Sequence, residues 1–152
     1  MKYYGLNFLI ITASFLLLGC ASNSPEEIAA KIRVSYPVSQ EISKAEGVGI
    51  EMYLINESNY CVMFPLVSGM TIYTEQSGSR FEVKNLITIM GDENLIVDSQ
   101  GEIFSKRSVD VVPDVSGIPI TAPTQFFVSL SGYLCDDENV KIIKVIPFTV
   151  SP

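Results

Sequence analysis

Any chemistry in this chain has to be done without histidine, because its 152 residues contain none. Ser-His-Asp and Cys-His dyads, the HExxH zinc site and the Cys2His2 finger therefore cannot be assembled from this chain alone. Carboxylates, hydroxyls and thiols remain. Asp92 with Glu93, and Asp98 with Glu102, are the residue types of an acid and base pair. Both pairs fall in short polar segments with no neighbour in sequence that would set their proton affinities apart, which reads as solubilising turn residues. Asp136-Asp137-Glu138 offers hard oxygen ligands of the kind calcium takes. It lacks the alternating Asp-x-Asp-x-Asn-Gly spacing of a calcium loop and reads as a solvated turn. Ser129-Leu130-Ser131-Gly132 lacks the leading glycine of a nucleophile elbow, and no Ser stands three residues before a Lys. The expectation is a protein that is not an enzyme and that carries no cofactor and no metal.

Ten basic against seventeen acidic side chains leave a formal charge of −7. Nucleic-acid affinity comes mostly from clustered Lys and Arg, so DNA and RNA are not expected as partners. The length suits one domain.

The amino terminus reads as an export signal. Lys2 precedes an apolar run from Leu6 to Leu18, the length of a signal-peptide h-region. Leu17-Leu18-Gly19-Cys20 resembles the lipobox of bacterial lipoproteins, in which small residues precede an obligatory cysteine. The resemblance implies cleavage after residue 19, a diacylglycerol thioether on Cys20 and an acylated new amino terminus. It covers only these leading residues. Acyl chains such as palmitate act additively: one gives marginal membrane binding, and two or more anchor stably. Ala21 stands where inner-membrane lipoproteins often carry Asp, so the resemblance implies the outer membrane, facing the periplasm. An uncleaved anchor over the uncharged stretch from Tyr3 to Pro25 is the competing reading.

With Cys20 carrying lipid, Cys61 and Cys135 remain as an even pair in an oxidising compartment. There a disulfide is expected, with two buried free thiols as the alternative.

Ser24-Pro25-Glu26-Glu27 has the pattern of a capping box with proline at the first helical position, which predicts a short helix. From Ile32 the apolar period becomes two, and Pro37 directs that strand to a sheet edge. Val48 to Ile55, the polar turn Asn56-Glu57-Ser58-Asn59 and Tyr60 to Phe64 read as a hairpin. Six further β-rich runs follow: Met70 to Thr74, Arg80 to Met90, Asn94 to Val97, Glu102 to Val112, Gln125 to Leu134 and Val140 to Val150. The expected organisation is a signal peptide (1–19), a lipidated tether with a short helix (20–31) and an all-β domain (32–152). About nine strands with almost no helical period between them indicate a single antiparallel β-sandwich.

Tyr133-Leu134-Cys135 resembles the Tyr-x-Cys of immunoglobulin strand F, which implies an Ig-like sandwich with Cys135 paired to an earlier cysteine. The run Val112 to Pro123, with three prolines, is either packed across the sandwich end or offered to a partner. Packing is the commoner outcome for stiff loops. Asn56-Glu57-Ser58 fits a glycosylation sequon whose use is not expected in a bacterial lipoprotein.

The functional expectation is a lipid-anchored envelope protein that binds a protein partner through loops or an edge strand. The alternative is an acidic periplasmic inhibitor or immunity protein against a basic lysozyme-like enzyme or toxin, whose encounter the negative charge would speed.

Overall fold

A computed structural model describes residues 23–37, 39–44, 49–87 and 94–152. The chain enters through helix α1 (Pro25–Lys31). The Ser24 hydroxyl accepts from the Glu27 amide at 3.2 Å, and the Glu27 carboxylate accepts from the Ser24 amide at 2.9 Å. This reciprocal pair satisfies two of the amide donors that a helix start leaves open. Ile28 and Ala29 are buried in the common core, so the helix expected in the tether belongs to the folded body.

Ten strands follow: β1 (Ile32–Ser35), β2 (Glu41–Ser43), β3 (Ile50–Asn56), β4 (Val62–Pro65), then the single turn α2 (Leu66–Gly69), β5 (Met70–Gln76), β6 (Ser79–Val83), β7 (Asn94–Val97), β8 (Lys106–Val111), β9 (Thr124–Leu134) and β10 (Lys141–Ser151). Alternation explains why the longest of them hold a sheet: the even residues of β9 from Phe126 to Leu134 are all buried and the odd ones are not. The same alternation runs along β3.

The strands form two sheets packed as a sandwich. A three-stranded sheet has the order β1-β3-β8, and a larger one the order β2-β10-β9-β4-β7. In the larger sheet β5 follows β4 along the same side of β9, and β6 lies outside β5. All pairings are antiparallel except β2 with β10. Phe64, Phe126, Phe148, Ile32, Met52 and Leu54 fill the space between the sheets. Each contributes on the order of 1.5–3 kcal/mol through removal from water. At the α2 interruption the backbones crowd. A Cβ at Gly132 would collide with the Met63 carbonyl oxygen and stand 2.8 Å from Phe64 Cδ1. Glycine is required at that position for close approach.

Several local expectations meet a different outcome. β3 and β4 do not form the hairpin expected around Asn56-Glu57-Ser58-Asn59, because β3 pairs with β1 and β8 while β4 pairs with β7 and β9. The turn is a corner between sheets. It is held by Asn56, whose amide donates to the Tyr60 and Val97 carbonyls at 2.7 and 3.1 Å. In the run expected from Arg80 to Met90, β6 ends at Val83 and Asn85 makes an isolated bridge to Pro113, while residues 88–90 lie outside the described residues. The run from Glu102 begins its strand at Lys106. The short β2 was not expected, since three residues carry too little period to see. β1 does lie at an edge, as Pro37 suggested. The loop after β8 is packed: Ile120 is buried, Val115 and Ile118 lie against the core, and Lys44 Nζ donates to the Ile118 carbonyl at 3.0 Å.

Candidate functional site

Cys61 and Cys135 are bonded to each other, with their Cα atoms 5.4 Å apart and 74 positions between them in sequence. The Cys135 amide also donates to the Cys61 carbonyl at 3.0 Å. The bridge stands where β4 leaves its corner and β9 ends, and so joins neighbours in one sheet. The immunoglobulin bridge crosses between sheets, and in this respect the chain departs from the resemblance. Cys135 is exposed and Cys61 half-buried.

Three surfaces could take a partner. The first is the outer side of β6, which among the described residues pairs with β5 alone. Ser77 and Gly78 both have positive φ, 51° and 77°, as a two-residue hairpin turn needs. Counting the ladder outward from that turn, the amides of Ser79, Phe81 and Val83 face β5, and those of Arg80 and Glu82 face away. Phe81 is 48% exposed. Arg80 covers the Tyr73 ring at 3.7 Å, and Tyr73 stacks on Phe127 at 5.1 Å, which ties the hairpin to β9. Beyond β6 lies a cavity of about 470 Å³ lined by Leu66, Met70, Ile72, Val83, Lys84 and Asn85, among others. Asn85 Oδ1 accepts from the Val112 and Ile87 amides at 2.9 and 3.3 Å, while its buried Nδ2 has no partner among the described residues. An unpaired buried donor costs free energy and is relieved by any acceptor brought to it.

The second surface is the outer face of the small sheet, where Glu51 and Asp110 are direct cross-strand partners and both exposed. Glu51, by hydrogen bonding and then by its charge, followed by desolvation and the charge of Asp110, holds the Tyr53 phenol above its usual range. The third is the end of the sandwich that carries the disulfide. There the β7–β8 turn exposes Ile103 (89%) and Phe104 (53%).

The residues singled out in sequence fall as follows. Cys20, Asp92 and Glu93 lie outside the described residues. Asp98 and Glu102 belong to the β7–β8 turn, where the Asp98 amide donates to Phe104 and the Glu102 amide to Ser99. Asp136, Asp137 and Glu138 are exposed in the β9–β10 turn, and Asp137 Oδ1 accepts from both Asn139 nitrogens at 3.0 Å. Ser129 and Ser131 lie on the outer face of β9, with odd parity. Among the described residues no three His, Cys, Asp or Glu side chains stand together as a metal site. None of the described helices is long and apolar enough to cross a membrane. Sequence reading missed Phe81, Asn85, Ile103 and Phe104, because each was absorbed into a longer expected strand.

No protein-family profile matches the chain, and no curated protein does so either.

Proposed function

We propose that this chain is a lipid-anchored, non-enzymatic envelope protein that binds an extended segment of a protein partner along β6. The observation that carries the reading is the edge of β6, which has no neighbour but β5 among the described residues, beside a groove lined by Leu66, Met70, Ile72 and Val83 together with Glu82 and Lys84. A partner strand would gain main-chain hydrogen bonds from the outward amides of Arg80 and Glu82, and its side chains would supply specificity. The anchor is the lipid expected on Cys20, with the outer membrane as its address.

The test is Glu82→Pro, which removes one outward donor, while the φ of proline is tolerated at an edge. Glu82→Ala is the side-chain control. A photo-crosslinker at position 81 in intact cells should yield an adduct with a discrete partner. In the Pro variant that adduct should be lost by roughly tenfold or more, as expected for about 1.4 kcal/mol, while the Ala variant keeps it. An adduct undiminished in the Pro variant overturns the edge reading.

The Glu51–Asp110 face supports a second reading, a basic enzyme or toxin held by charge. Like charges left opposite each other cost stability, and a cationic partner would relieve them. Capture that weakens with salt, is lost in Asp110→Lys and is indifferent to Glu82→Pro would favour it.

A further inference from the structure

We infer that Ile103 and Phe104 form a membrane-docking tip that seats the disulfide end of the sandwich on the bilayer surface; this rests on the reading of Cys20 as the lipidated residue. Two placements meet at that end. The described chain begins at Asn23, and Asn23, Ser24 and Pro25 lie in a common concavity with Tyr60, Leu134 and Asp137. Three Cα steps separate Asn23 from Cys20, so whatever path they take they reach at most about 11 Å. A lipid on Cys20 therefore holds this end, and no other, within reach of the membrane.

The β7–β8 turn projects from the same end. β7 finishes at Val97, the partner of Val62, which itself pairs with Leu134. β8 starts at Lys106, opposite Ile55. The turn is tied to the corner by the Asn56 amide donating to the Ser105 carbonyl at 2.8 Å and by the Gln100 amide donating to Ser58 at 2.7 Å. Its tip presents two large apolar side chains to water, with 89% and 53% of their surfaces exposed. Lys106 and Arg107 follow directly. Arg107 stands 5.3 Å from the Phe104 ring and Lys106 4.1 Å from the Tyr53 ring. Apolar side chains flanked by cations suit the boundary between acyl chains and headgroups.

The α1 side of this end is mostly acidic, with Glu26 and Glu27 on α1 and Asp136, Asp137 and Glu138 in the β9–β10 turn against Lys141; Asp98 and Glu102 lie in the turn that carries the tip. Repulsion from anionic headgroups would tilt the body away from the α1 side and toward Ile103 and Phe104. The bilayer then lies against one end. Phe81, level with Phe126 through Thr74, stands about 26 Å away along β9, at eight residues of strand rise, and the β6 edge stays open to a partner.

The chain has no tryptophan, which makes a single introduced indole an unambiguous reporter. The full-length protein is expressed with its leader and purified as the native product. It carries Ile103→Trp, Phe104→Trp or Phe81→Trp, and is reconstituted into phosphatidylethanolamine–phosphatidylglycerol vesicles with brominated acyl chains. Either tip indole should be blue-shifted and quenched several-fold more than the indole at 81. Acylated, vesicle-bound protein in which both tip indoles are quenched no more than the one at 81 overturns the docking tip and leaves the Cys20 reading intact. A product without acyl mass that fails to sediment with vesicles overturns both.

Discussion

Glu51 and Asp110 face each other as direct partners across β3 and β8, two carboxylates side by side on an exposed sheet face. Like charges in this position are destabilising, by roughly 0.2–1 kcal/mol. Asp110→Lys should therefore raise the thermal midpoint in low salt, and the gain should shrink as salt screens the pair. A midpoint lowered by the substitution would show that the carboxylates are held by a favourable interaction.

Asn56 is buried at the corner between the sheets and uses both amide hydrogens and its carbonyl oxygen. It donates to Tyr60 and Val97 and accepts from the Ser58 amide and hydroxyl at 2.9 and 2.7 Å. Asn56→Ala leaves several of these groups unpaired, at about 1–3 kcal/mol each before relaxation. Asn56→Asp should be worse at neutral pH, because a carboxylate would replace the donor to two carbonyl oxygens. Burial and those carbonyls would raise its folded pKa above the unfolded value. Stability would then be highest below the unfolded pKa and lost as pH rises through the folded one. Urea unfolding of both variants across pH 4 to 8 would check this, and a flat profile for the Asp variant would contradict it.

Closing the loop between Cys61 and Cys135 restricts the unfolded chain by about 4–5 kcal/mol in the loop-entropy account. The Cys61→Ser, Cys135→Ser double variant should lose a large part of that on denaturant titration. Adding reductant to it should change nothing further.

Lys144 shares the inward parity of β10 and donates to the Ala29 carbonyl at 3.0 Å. Partial burial holds its ammonium below the usual lysine range of 10.5. Between that lowered value and 10.5 the unfolded chain binds more protons than the folded one, so this group's contribution to stability rises with pH across that window. The stability difference between Lys144→Met and the native chain should therefore move in favour of the native chain as pH climbs toward 10.5. A difference independent of pH above 8 would show that the ammonium is fully solvated.

The residues that declare themselves locally were legible before any tertiary contact was known. The capping box at Ser24, the alternation along β3, β9 and β10, and the pairing of two cysteines each depend on neighbours a few positions apart or on parity alone. From these follow the all-β sandwich and the disulfide. The partners of each strand were not legible, because hydrogen bonding between strands is indifferent to side chains. The same alternating run fits either sheet. The buried amide of Asn56 holds the corner at which β4 leaves β3 for the other layer, and the close approach at Gly132 accompanies the placing of β4 and β5 on one side of β9. The Asn56 bond to Val97 and the Gly132 contact with Met63 are non-local, and so are the outer edge of β6 and the placement of the Ile103 turn at the end of the sandwich where α1 begins. Alternation along the strands specified most of the side chains that are buried. Packing of distant segments decided which surfaces were left over to bind.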